Sequence, residues 1–120
     1  MQLNHKIHVL GKKEDLDTVR LPGKVVVVLD ILFATSTIVT AIAHGARSVI
    51  PTLDESAARA AAAGRDTSSY VLAGELYADR IEGFAPPAPL ALVEHGVRGK
   101  DVIYSTTNGT VALNETGDAD

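Results

Sequence analysis

The sequence predicts an α/β domain of three layers, α/β/α, built around a mostly parallel sheet. Three observations predict it. Strand-like and helix-like segments alternate along the chain, the pattern that winds a parallel sheet with helices on both faces. The run Val25-Val26-Val27-Val28-Leu29 shows no polar alternation, as a strand covered on both faces requires. The 120 residues are 46% hydrophobic but only 4% aromatic, so a single domain can bury roughly two-thirds of its unfolded surface, mostly with small side chains.

The elements follow in order. Residues 6–10 alternate polar and apolar, which predicts a half-exposed strand. Residues 11–23 form a polar connector. The valine run ends at Asp30, and Thr35-Ser36-Thr37 then offers N-cap hydroxyls to a helix. In that helix Ile38, Ala41 and Ile42 share a face, and Gly45 supplies the stop. Ser48-Val49-Ile50-Pro51 is a short strand. Thr52-Leu53-Asp54-Glu55 has capping-box spacing ahead of an alanine-rich helix over 56–63, closed by Gly64. Tyr70-Val71-Leu72-Ala73 is the next strand and runs into Gly74-Glu75. Residues 80–89, with Gly83, Pro86, Pro87 and Pro89, predict loop. A short helix over 90–95 ends at Gly96. Val102-Ile103-Tyr104 is the last strand, followed by Ser105-Thr106-Thr107-Asn108-Gly109-Thr110 and a helical turn at Val111-Ala112-Leu113. Residues 114–120 are acidic and predict a disordered tail. A capped apolar turn needs about ten residues to make a stable helix, so residues 1–120 read as one domain cut from a longer chain.

Composition excludes several classes. No apolar run approaches the roughly 18 residues of a membrane span. The N-terminus Met1-Gln2-Leu3-Asn4-His5-Lys6 lacks an apolar signal core, so the expected address is cytoplasmic. The absence of cysteine removes disulfides, thiolate zinc sites and cysteine nucleophiles. A net charge of −4 without a Lys/Arg cluster argues against nucleic acid. His5, His8, His44 and His95 lack metal-ligand spacing and read as surface residues. A small-molecule partner remains, and unpartnered apolar faces predict a homo-oligomer.

In open α/β sheets, ligands bind outside the carboxyl ends of the strands. Three polar segments fall there: Asp30 with Thr35-Ser36-Thr37, Gly74-Glu75, and Ser105 through Thr110. Asp30 and Glu75 are hard oxygen donors suited to Mg²⁺, which takes one or two carboxylates plus waters and substrate oxygens. The hydroxyl-rich helix starts at Ser36 and Thr110 present backbone N–H groups to an anion, so the set points to a phosphate or sulfonate ligand. Structural roles compete with this reading. Asp30 can cap a turn, Thr35-Ser36-Thr37 can be a plain N-cap, and Asn108-Gly109 a plain turn. Glu75 is hardest to explain structurally, because an acid after a buried strand must find a partner or solvent. An aspartyl-phosphate mechanism of the haloacid-dehalogenase kind needs a second acid two residues after Asp30, where Leu32 stands. No Gly-Lys-Ser/Thr follows a strand, so there is no P-loop.

Together these segments resemble the 2-phosphosulfolactate phosphatases, the ComB-like enzymes of the coenzyme M pathway. Val26 through Ala41, with Asp30 and Thr35-Ser36-Thr37, is similar to the first family signature. Leu72-Ala73-Gly74-Glu75, with Ile81-Glu82-Gly83-Phe84 beyond it, is similar to the second, and Ser105 through Leu113 to the third. The resemblance implies an α/β fold and Mg²⁺-dependent hydrolysis of the phosphate monoester of 2-phosphosulfolactate, giving 3-sulfolactate, or of a related small phosphorylated acid. It implies Asp30 and Glu75 as catalytic and metal-binding residues. Thr35, Ser36, Thr37, Asn108, Gly109 and Thr110 would bind substrate. There are departures. Phe33 stands where the family usually has arginine, Leu76 where a basic residue is common, and Ala85-Pro86-Pro87-Ala88-Pro89 replaces Asp-Leu-Gly-Asn-Ser-Pro. A cation for the anion would then come from Arg47 or Arg80. The alternative is an inactive or truncated member that acts as an anion-binding or assembly module.

Overall fold

Four α-helices and four β-strands, besides two 3₁₀ turns at Lys13–Asp15 and Thr18–Arg20, appear in the computed structural model, which describes residues 6–30, 34–107 and 109–116. In chain order they are α1 (Ala34–Ala43), β1 (Ser48–Thr52), α2 (Glu55–Ala62), β2 (Tyr70–Leu76), β3 (Asp79–Arg80), α3 (Pro89–His95), β4 (Asp101–Ser105) and α4 (Gly109–Glu115). The strands lie in the order β1-β4-β2-β3. The first three are mutually parallel and only the two-residue β3 runs antiparallel to β2. β4 is central and buried along its whole length. The register is flush: Ser48 and Tyr70 both face Asp101, and Thr52 and Gly74 both face Ser105. The carboxyl ends of three strands therefore open on one side.

Strand side chains alternate between the two faces. Val49, Val71, Ala73, Val102 and Tyr104 pack toward α1 and α3, against Ala34, Ile38, Ala41 and Leu92. Ile50, Tyr70, Leu72 and Ile103 pack toward α2, against Ala58 and Ala62, with Ile81 and Phe84 closing that side. Helices thus cover both faces, and the α/β reading holds. Asp54 caps α2, its carboxylate accepting from Ala57 N at 2.7 Å. The sequence suggested Thr52 for this role, but Thr52 belongs to β1 and donates to Tyr104 O at 3.2 Å. α1 begins at Ala34, so Thr35, Ser36 and Thr37 lie in its first turn rather than at the cap.

At the amino ends of the strands, Asp101 ties three elements together. Arg47 Nε donates to its Oδ1 at 2.8 Å, Ser48 Oγ to the same oxygen at 2.7 Å, and Arg65 Nη1 to Oδ2 at 2.9 Å. Arg47 Nη2 also pairs with Oδ2. These bonds, Arg47's foremost and Ser48's next, hold the Asp101 carboxyl well below the usual carboxylate range.

Three expectations are corrected. Residues 25–29 form no strand: Val25, Val27 and Leu29 are 82%, 74% and 82% exposed, while Val26 and Val28 are half-buried. β-Branched residues favour a pleated, half-buried surface, but a strand exists only where a neighbour completes its ladder. Among the described residues none does, and the run rests one side on the domain. Residues 6–10 are likewise exposed and unpaired among the described residues, because five alternating residues supply no partner of their own. Finally, 80–89 is more than loop. Arg80 belongs to β3, and Ala85 bridges to Ala73, its N–H donating to Leu72 O at 2.7 Å. α4 continues to Glu115, while residues 117–120 of the expected tail lie outside the described residues. No helix among the described residues is long and apolar enough to cross a membrane.

Candidate functional site

The site begins where β2 and β4 touch. A Cβ on Gly74 would lie 2.2 Å from Ser105 O, so only glycine lets the two strand ends approach this closely. The residue after Gly74 is Glu75, and its carboxylate binds two loops at once. Oε1 accepts from Thr107 N at 2.6 Å. Oε2 accepts from Ala78 N at 2.6 Å and from Thr107 Oγ1 at 3.1 Å. Thr107 Oγ1 in turn accepts from Tyr77 N at 2.9 Å. Tyr77 and Ala78 have φ of 53° and 71°, a region unfavourable to residues with a Cβ, and these bonds hold them there. No cation pairs with Glu75 among the described residues. Its charge is held by amides and a hydroxyl, which orient a carboxylate without neutralising it.

Beyond Thr107 the chain enters α4 through a reciprocal pair. Thr106 N donates to Thr110 Oγ1 at 3.0 Å, and Thr110 N donates to Thr106 Oγ1 at 3.1 Å. Thr110 is fully buried and its hydroxyl also donates to Thr106 O at 2.9 Å, so it sets the shape of the loop. A cavity of about 600 Å³ opens over these strand ends. Glu75, Ser105, Thr106 and Thr107 line one wall, and Glu55 and Arg59 of α2 line the other. Ser105 Oγ has no hydrogen-bond partner among the described residues.

Asp30 and Thr35 form a second cluster. Asp30 N donates to Thr35 Oγ1 at 3.0 Å, and that hydroxyl donates to Asp30 O at 2.7 Å. Thr37 is buried, its hydroxyl donating to Pro87 O at 2.8 Å, an oxygen that also accepts from Tyr104 OH at 2.9 Å. Burial pushes the Tyr104 hydroxyl up to about 12; Thr37 opposes this, and the Glu75 and Asp30 carboxylates reinforce it. Both carboxylates therefore lie within electrostatic reach of one phenol on the central strand. They do not share the cavity, which Glu75 lines and Asp30 does not. Ser36 is half-buried in the first turn of α1, and Gly109 opens α4. Asn108, Phe33 and His5 lie outside the described residues; His8, His44 and His95 are exposed.

Neither arginine considered as a substitute cation reaches Glu75's cavity. Arg47 is bound to Asp101 at the opposite end of the strands, and Arg80 lines a separate cavity of about 390 Å³ with His95 and Lys100. Sequence reading missed Arg59, Thr107 and Tyr104. Arg59 was detectable as the (i, i+4) partner of Glu55, and Thr107 lay inside the Ser105–Thr110 segment without being singled out. Nothing in an apolar strand marks Tyr104.

Comparison with known proteins finds one family. A family model described as 2-phosphosulpholactate phosphatase matches residues 11–120. A probable 2-phosphosulfolactate phosphatase of Clostridium beijerinckii is 40% identical over 117 residues, covering 95% of this chain and 48% of that protein. One from Caldanaerobacter subterraneus subsp. tengcongensis is 43% identical over 101 residues, covering 83% and 42%. One from Clostridium perfringens strain SM101 is 42% identical over 118 residues, covering 96% and 48%. The chain spans about half the length of the curated relatives it matches.

Proposed function

The chain belongs to the 2-phosphosulpholactate phosphatase family, and from that premise we propose that it acts as a Mg²⁺-dependent phosphatase on 2-phosphosulfolactate or a closely related phosphorylated acid. The observation that supports this most is Glu75: a carboxylate without a counter-cation among the described residues, fixed at the carboxyl end of a parallel strand, on the wall of a cavity lined by Ser105, Thr106 and Thr107. Hydrolysis adds water to phosphorus and expels the ester oxygen, which leaves protonated as the hydroxyl of 3-sulfolactate. In this scheme the loop after β4 presents hydroxyls to the phosphate oxygens, and Glu75, by holding Thr107, fixes that loop before substrate arrives. Tyr104, kept neutral, and Thr37 brace the strand end from below through their shared carbonyl.

The residues fit Mg²⁺ in donor chemistry. Glu75 Oε1 accepts a single hydrogen bond and keeps a lone pair for a hard cation, whereas Asp30, outside this cavity, shares with it only an electrostatic influence on Tyr104. No cluster of three or more metal-binding side chains occurs among the described residues, so in this cavity Glu75 would be the protein's ligand, with water and substrate oxygens supplying the rest. Bound there, Mg²⁺ would neutralise charge on the phosphoryl group.

The test is phosphate release from 2-phosphosulfolactate by this chain, with Mg²⁺ and after chelation, alongside Asp30→Asn and Glu75→Gln. Mg²⁺-dependent release that both variants abolish is expected. Mg²⁺ should also raise the melting temperature of the unmodified chain but not of Glu75→Gln. Release that Glu75→Gln leaves intact overturns the assignment of the site. A chain that neither binds nor hydrolyses the substrate overturns the function.

A further inference from the structure

We propose that Arg59 is the anion-gripping residue of the Glu75 cavity and that the Glu55 carboxylate competes with the ligand for it. The inference rests on the reading above that this cavity receives a phosphate ester. A cavity lined by Asp54, Glu55 and Glu75 repels an anion unless a cation offsets them, and Arg59 is the one basic residue lining it among the described residues. Two of the three acids are committed elsewhere: Asp54 caps α2, and Glu75 holds Thr107 and Ala78. Among the described residues Glu55's carboxylate is bound only by Arg59, whose Nε and Nη2 converge on its Oε1 at 2.8 and 2.7 Å. Released from Glu55, the same two donors can each take one oxygen of a phosphate or sulfonate in the parallel bidentate fork.

The guanidinium is held ready by more than this pair. Its carbon lies 5.0 Å from the centroid of the buried Phe84 ring, and Nη2 donates to Glu82 O at 3.0 Å. A side chain stacked on an aromatic shelf loses less freedom on binding than a free surface arginine. Both partners of the ion pair are roughly half exposed, at 49% and 44%, so the pair is weak and an incoming phosphate can displace the carboxylate.

The test is calorimetric titration of inorganic phosphate into the unmodified chain and four variants, each checked by thermal melt. Arg59→Gln should weaken binding about ten-fold or more. Arg59→Lys, which keeps charge but not the fork, should fall between. Glu55→Gln should tighten binding several-fold by removing the competitor. Arg80→Gln, in the separate cavity, should change nothing. The opposite signs at Arg59 and Glu55 are the signature, because a merely structural ion pair would show similar stability losses on both sides and no gain in affinity. Phosphate binding that survives Arg59→Gln, or weakens in Glu55→Gln, overturns the inference while leaving the proposed function standing. A chain that binds neither phosphate nor 2-phosphosulfolactate overturns both.

Discussion

The two ends of the sheet each hold a carboxylate in several hydrogen bonds, but with opposite partners. At the amino ends, Asp101 accepts from Arg47, Arg65 and Ser48, so two guanidiniums cancel its charge. At the carboxyl ends, Glu75 accepts from two backbone amides and a threonine hydroxyl, which fix its position and leave its charge. The number of hydrogen bonds does not separate a structural acid from a functional one; the charge balance does. A neutralised buried carboxylate holds elements together, whereas an uncompensated one facing a cavity can attract a cation or take part in chemistry. That the second lies at the strands' carboxyl ends follows the general habit of parallel sheets.

The largest effect should come from the residue that joins β2 to β4 beneath Glu75. In Gly74→Ala the new Cβ meets a backbone carbonyl at 2.2 Å, which no side-chain motion relieves. The strand ends must part, at a cost at or beyond the upper end of overpacking, about 3 kcal/mol. Loss of the cooperative melt, or of soluble protein, is expected; a melt matching the unmodified chain would break the account of the strand junction.

Asp101→Asn is expected next. It removes the charge that two arginines share and should lower the melting temperature by several degrees at neutral pH. The sign with pH follows from the lowered carboxyl. In the unfolded chain this group titrates at about 3.9, so its contribution is complete above that and fades as pH falls toward its folded value. The gap between the unmodified and variant melts should therefore narrow on acidification below about pH 4. A gap that widens in acid would show that Asp101 is not held ionised by its arginines.

This contrast also marks what the sequence could reveal. The strands β1, β2 and β4 and the helix after Asp54 were legible, because their periodicity and stop residues are local properties. Glu75 was legible for a physical reason: an acid directly after a buried strand demands an explanation. Asp101 passed unnoticed, since its partners Arg47 and Arg65 are 54 and 36 residues away and no local pattern joins them. The valine run misled for the same reason, as ladder partners are not written in the strand itself. Arg59 was visible only as a routine helix pair, and its place in the cavity depends on how α2 packs across the sheet.

Tyr104 gives a smaller effect that sharpens the comparison, because it senses the carboxylates of one end only. Its hydroxyl is pushed up to about 12, first by burial and further by Glu75 and Asp30. The neutral phenol is favoured in the fold, so stability is complete below the unfolded value near 10 and declines as pH rises through about 12. Two units correspond to about 2–3 kcal/mol lost over that window. In Tyr104→Phe this alkaline decline should disappear from pH-dependent denaturant melts. In Glu75→Gln it should begin at the same pH but be smaller and level off slightly sooner, because one of the two charges that raise the folded value is gone. An unchanged decline in Tyr104→Phe would assign the alkaline limb to other groups.

The smallest stability effect should be that of Glu75→Gln itself, and this is where the two ends differ most. The amide keeps one oxygen, which can face either Thr107 N or Ala78 N but not both. Its NH₂ then meets a backbone donor, so about one net hydrogen bond is lost, roughly 1 kcal/mol at a partly exposed site. Thr107 Oγ1, which accepts from Tyr77 N, can turn its proton only toward the surviving oxygen. The Tyr77–Ala78 turn, held at positive φ, should loosen, and hydrogen exchange at those two amides should quicken while the β4 amides stay protected. Asp101→Asn should instead lower protection throughout the sheet. A Glu75→Gln variant as destabilised as Asp101→Asn would mean that Glu75, too, is chiefly a fastener, and that the charge at the carboxyl ends serves the fold rather than a ligand.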